Sequence, residues 1–125
     1  MKLEFIADGS QDCPLVCMYD FGPEEAMSLR QFIVSLCDGS RKSVHLDGET
    51  GFESVGGCRL TLQLGRRDFG LVQKAQSEFA CVLTQDGWNN VAHLIEPFCA
   101  SGCSGHQWLN EDGDVSLLLS KTGQW

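Results

Sequence analysis

The chain has 125 residues, 42% hydrophobic and 21% charged, the balance of a single domain that can bury its own core without a metal or a disulfide. A net charge of −8 disfavours nucleic acid and anionic membrane as partners and leaves solubility or a basic protein partner as its use. No apolar run approaches the roughly 18 residues of a membrane span, and the opening "MKLEFIADGS" lacks the apolar stretch of a secretory signal.

"KLEFIAD" (2–8) reads as a strand with Leu3, Phe5 and Ala7 on one face. "PLVCMYDF" (14–21) is apolar on both faces, as a strand covered on both sides would be. "GPEEAMSLRQFIVSLCDG" is the clearest helix. Pro23 suits its first position, and Glu24 and Glu25 suit the positive end of its dipole. Ala26, Leu29, Ile33 and Leu36, with Phe32, form its apolar stripe, and Gly39 closes it in a left-handed conformation. "KSVHL" (42–46) is a short strand, and the Gly-rich, polar segment 47–57 is expected to be loop.

"CRLTLQL" (58–64) alternates, with Leu60, Leu62 and Leu64 inward and Arg59, Thr61 and Gln63 outward, which predicts one wet face. "FGLVQ" (69–73) and "EFACVLT" (78–84) pair as a hairpin. A second helix starts at Thr84 or Asp86, with Trp88, Val91, Leu94, Ile95 and Phe98 on its stripe. His93 lies off that stripe, and Pro97 bends or ends the last turn. "HQWL" and "DVSLLLS" are strands joined by the turn "NEDGD".

Residues 26–46 and 88–108 align without a gap at an offset of 62. Ala26, Leu29, Phe32, Ile33 and Leu36 match Trp88, Val91, Leu94, Ile95 and Phe98, and Cys37 matches Cys99. Cys17 and Cys81 occupy similar places before each helix. The pattern suggests a duplicated strand-strand-helix-strand-strand unit, with halves at about 1–65 and 66–125 of one domain.

"CASGCSGH" (99–106) has the look of half a metal site, with Cys99, Cys103 and His106 as ligands and Cys13 and Cys17 as a second hook. Against this, Cys99 has a packing counterpart in Cys37, and Cys17 sits in mid-strand, where neighbouring side chains point to opposite faces. The reading is therefore core thiols, no metal and no cofactor. Seven cysteines, an odd number, point to free thiols in a reducing compartment, hence a cytoplasmic protein. There is no phosphate loop, dinucleotide fingerprint, nucleophile elbow or EF-hand spacing, so the chain leans away from an enzyme.

The expected architecture is α+β: one largely antiparallel sheet of about eight strands, with two helices on one face. The function expected is a non-enzymatic intracellular interaction module with an acidic surface, of the inhibitor or immunity kind, with a protein partner or a second copy of itself. Arg59, Thr61, Gln63, His45, His106 and Trp108 are its candidate binding residues. The alternative is a small-molecule binding domain or unrecognised enzyme whose pocket is walled by loops 47–57 and 99–106.

Overall fold

The computed structural model describes residues 1–125, an α+β fold of two helices and nine strands. In chain order these are β1 (Lys2–Ile6), β2 (Leu15–Tyr19), α1 (Pro23–Cys37), β3 (Ser43–His45), β4 (Glu53–Ser54), β5 (Arg59–Leu64), β6 (Gly70–Ala75), β7 (Glu78–Leu83), α2 (Gln85–Ile95), β8 (His106–Asn110) and β9 (Ser116–Ser120). Single 3-10 turns occupy Leu46–Gly48 and Glu96–Cys99. No helix is long and apolar enough to cross a membrane.

The strands form two mixed sheets, ordered β4-β1-β2-β9-β8 and β3-β5-β7-β6. This corrects the expectation of one largely antiparallel sheet: β1/β4, β2/β9 and β5/β7 are parallel pairs. The reason is visible in the chain path. After β5 the chain passes to the far edge, runs back as β6 and returns as β7, so β7 lies parallel to β5 without a crossover helix. In the other sheet the pair β1-β2 meets β9-β8, from the opposite end of the chain, through the parallel neighbours β2 and β9. The orders β1-β2-β9-β8 and β6-β7-β5-β3 share the same succession of antiparallel, parallel and antiparallel pairs.

The local signals for α1 act as physical chemistry requires. Gly22 precedes Pro23, and the Glu25 carboxylate accepts the Gly22 amide at 3.2 Å, satisfying a donor the helix cannot. Gly39, at φ 77°, ends the helix where a side chain would be strained. In α2 the Thr84 hydroxyl accepts the Gly87 amide at 3.1 Å. The α-helix stops at Ile95, and Pro97 lies in the 3-10 turn that follows, as its missing amide demands.

The buried stripes of both helices, Ala26, Leu29, Ile33 and Leu36 with Trp88, Val91, Ala92 and Ile95, share one continuous core with the inner faces of both sheets. The helices thus serve two sheets rather than covering one face of a single sheet. Trp88 is fully buried, and its indole Nε1 donates to the Gln63 carbonyl at 3.0 Å, tying α2 to the end of β5. Removing a side chain of this kind from a core costs about 3–5 kcal/mol. Phe5 of β1 lies 4.7 Å, ring centre to ring centre, from Phe79 of β7, joining the sheets.

A second, smaller cluster of Leu15, Cys17 and Leu118 lies on the opposite side of β2 and β9, walled by Ile6, Cys13, Tyr19 and Trp108. It explains why 14–21 is apolar on both faces. It also corrects the pairing of Cys17 with Cys81. Val16 and Met18 face the main core in β2, whereas Phe79, Cys81 and Leu83 face it in β7, so the two cysteines point to opposite sides of their sheets. The segment 47–57 is not all loop either, since Glu53–Ser54 adds a two-residue parallel strand beside β1.

Candidate functional site

The six candidate binding residues fall on two different sheets. Arg59, Thr61 and Gln63 project from the outer side of β5, and His45 of β3 stands opposite Thr61 in the antiparallel register. Arg59, Gln63 and His45 are exposed and Thr61 is half-buried. His45 Nδ1 and Thr61 Oγ1 are 2.9 Å apart. Asp47 steadies the end of this face: one carboxylate oxygen accepts the Leu60 amide at 3.0 Å, and the other lies 3.8 Å from Arg59 Nε. Leu60 and Leu62, on the inner side of the same strand, join the core with the helices, so no helix covers the outer side. The half-buried Val72 and Val82 and the small Ala80 continue the face across β7 and β6. The face mixes charged, polar and short apolar side chains.

His106 and Trp108 belong instead to β8, at the edge of the five-stranded sheet, with their rings 6.4 Å apart. Trp108 is half-buried against the Leu15, Cys17 and Leu118 cluster, so it is first a packing residue.

The structure does not gather the thiol motif. Cys99 ends the 3-10 turn and packs against the core, Cys103 lies half-buried in the following loop, and His106 opens β8 in solvent. No three His, Cys, Asp or Glu side chains converge in a way that could hold a metal ion. All seven cysteines are unpaired. Burial raises the thiols of Cys17 and Cys81 to about 12 and that of Cys58 to about 11. Burial also raises Cys37 and Cys99. A reactive cysteine needs the opposite shift; Cys17, Cys58 and Cys81 are buried, and Cys37 and Cys99 are half-buried against the main core.

Loops 47–57 and 99–106 do not wall a common pocket. Gly51 and Phe52 line hollows beside Met1 and α1, whereas Cys99 lines a separate one between α1 and the Glu96–Cys99 turn.

Sheet edges offer another docking route, by strand addition, but each edge here is blunted. β4 has two residues and β3 has three, and both β6 and β8 carry a register shift, at Gln73/Ala75 and at Trp108/Asn110. Short or bulged edges discourage strand pairing with another chain.

The fold also sorts the charge. Six of the nine basic residues, Arg41, Lys42, Arg59, Arg66, Arg67 and Lys74, come from the stretch that builds most of the four-stranded sheet. Twelve of the seventeen carboxylates lie outside residues 41–82. Five of these, Asp8, Asp12, Glu111, Asp112 and Asp114, sit in the two loops at one end of the five-stranded sheet. Those loops meet where the Ser116 amide donates to the Pro14 carbonyl at 3.2 Å. All five are exposed, and none forms a salt bridge. No family model, curated protein or solved structure matches the chain.

Proposed function

We propose that this chain is a non-enzymatic protein-interaction module that docks a protein partner on the outer face of its four-stranded sheet. The observation that carries the reading is that uncovered face, where exposed His45, Arg59 and Gln63 on β3 and β5 adjoin half-buried Thr61 and Val82, with half-buried Val72 on the edge strand β6. A face of mixed polar and short apolar groups is the ordinary material of a non-obligate interface. The blunted edges favour docking by a face over strand addition. Seven unpaired thiols, five of them raised by burial, support a reducing, cytoplasmic setting. The matching pairing order of the two sheets supports a duplicated strand-strand-helix-strand-strand ancestor, in a register other than the one that equates Cys17 with Cys81.

Photocrosslinking in the cells of origin tests the docking face. A photoreactive residue at Gln63 should capture a discrete partner, and the same residue at exposed His93, on the helical side, should not. Equal capture at both positions, or capture at neither, overturns the reading. Capture of a second copy of the chain at Gln63 makes the face a dimer interface and overturns the partner reading.

A further inference from the structure

The four-stranded sheet ends at β6, and beyond it lies the turn between β8 and β9. The two are pressed together by glycines. A Cβ on Gly113 would sit 2.4 Å from the Leu71 carbonyl oxygen, and one on Gly70 would sit 2.4 Å from the Gly113 nitrogen. Leu71 and Val115 form an antiparallel bridge across the junction. Alongside is a groove of about 360 Å3 whose lining includes the apolar Pro14, Phe69 and Val72 and the carboxylates Asp112 and Asp114.

Three features of this groove bear on what it holds. Phe69 is 55% exposed, one of only three large apolar side chains left in solvent. Asp112 bonds only within its own turn, its Oδ2 accepting Asn110 Nδ2 at 3.0 Å, and neither Asp112 nor Asp114 is paired with a basic residue. Glu111, Asp8 and Asp12, in the same pair of loops, add to the negative field at this end. An aromatic face beside unpaired carboxylates suits a side chain that is apolar along its stem and cationic at its tip.

We propose that this groove is where a basic partner is recognised, by taking one arginine or lysine side chain that the partner presents beside an apolar residue. The stem lies along Phe69 and Val72, and the cationic head meets Asp112 and Asp114. Arginine fits better than lysine, because its planar head stacks on an aromatic ring and donates in a fork to a carboxylate. Val72 also belongs to the proposed docking face, so a partner lying there reaches the groove over the edge of β6. The inference rests on the interaction-module reading and adds the partner's chemistry to it.

The test uses the purified chain and a defined probe, acetyl-Leu-Arg-amide, titrated while backbone amides are followed by NMR. Its citrulline analogue, which has the same shape and no charge, is the control. Saturable shifts are expected at Phe69, Val72 and Gly113. Weakening of about tenfold is expected in the double variant D112N/D114N, with a clearly smaller loss in D8N/D12N, which removes the same charge from the surrounding field but not from the groove lining. An equal response to the citrulline probe overturns the proposal, as do shifts spread over every carboxylate or no saturable shift at all. The two proposals fail separately. If D112N/D114N still crosslinks its partner through position 63 with undiminished yield, the groove is excluded while the docking face stands. If the probe binds but position 63 captures nothing, the face is excluded.

Discussion

Replacing Gly113 with alanine tests the junction on which the groove depends. Gly113 is not in the left-handed region, so its backbone conformation alone would admit a side chain. The obstacle is space. The added methyl would lie 2.4 Å from the Leu71 oxygen, 2.8 Å from its nitrogen and 3.1 Å from its carbonyl carbon. These are backbone atoms of a fully buried residue, so no side chain can swing aside. The turn must lift from β6, and forced overpacking of this kind costs about 1–3 kcal/mol. Losing hydrogen bonding at the Leu71–Val115 bridge adds about 1 kcal/mol. A total of about 2–4 kcal/mol at a typical urea dependence of about 2 kcal/mol per molar lowers the unfolding midpoint by about 1–2 M. Gly48→Ala is the control, because a Cβ there meets nothing within 4 Å. That exchange should be neutral or stabilise by up to about 1 kcal/mol, since alanine restricts the unfolded chain. Urea unfolding followed by tryptophan fluorescence reads both variants. Gly113→Ala as stable as the parent would show that the turn does not rest on β6, and the groove would go with it.

Leu29→Ala and Ile95→Ala, both fully buried on the facing helical stripes, should each cost about 2–5 kcal/mol in urea melts, and a loss under about 0.5 kcal/mol at either would mean the helix faces are misassigned. The Glu25 carboxylate lies below its usual range because it accepts a hydrogen bond from the Met1 ammonium and another from the Gly22 amide. A carboxylate depressed on folding stabilises above its unfolded value of 4.5 and loses that contribution as pH falls through its folded value. In the chain beginning at Met1, Glu25→Gln should therefore cost under about 1 kcal/mol at pH 7, the group being part-exposed, and the gap should close toward acid; a gap independent of pH counts against the ion pair. Elemental analysis should find no stoichiometric zinc, and Cys103→Ser should shift stability by less than about 0.5 kcal/mol. One zinc per chain, lost together with the fold on chelation, would reverse the account of residues 99–106.

What was legible in the sequence was what depends on near neighbours. The stripe Ala26, Leu29, Ile33 and Leu36 repeats at helical spacing, and all four residues are buried. Thr84, Gly39 and Pro97 act within a few residues of themselves, through a cap, a left-handed turn and a missing amide. The alternation in 58–64 depends only on the pleat, and it placed Arg59 and Gln63 in solvent and Leu60 and Leu62 in the core. Sheet membership is different in kind. Nothing local to Leu15–Tyr19 says that its parallel neighbour is Ser116–Ser120, about a hundred residues later. The hairpins β6–β7 and β8–β9 looked like parts of one antiparallel sheet because each is antiparallel within itself, and the parallel joints that seat them, β5 with β7 and β2 with β9, carry no local signal. The matched cysteines misled for a related reason: a one-residue change of phase in a strand reverses every side chain. Cys17 and Cys81 thus agree in spacing and disagree in face.

The candidate sites divide along the same line. His45 and Thr61 come together because β3 and β5 are antiparallel neighbours, although the chain between them visits the other sheet as β4. The groove joins Phe69, just before the edge strand β6 of one sheet, to Asp112 and Asp114, in the last turn of the other, and to Pro14 near the beginning of the chain. In the sequence, "NEDGD" reads as a hairpin turn, which it is, and its carboxylates read as turn chemistry. Their second property appears only when the parallel pairing of β2 with β9 sets the loop holding Asp8 and Asp12 beside that turn. The pairing places five exposed carboxylates at one end of the molecule, while six of the nine basic residues follow the other sheet. A net charge of −8 spread evenly would serve solubility alone. Sorted this way it makes a field with a direction, which would steer the basic partner proposed above and would weaken with salt. The charge that composition offers as a single number acquires a direction through the order of strands.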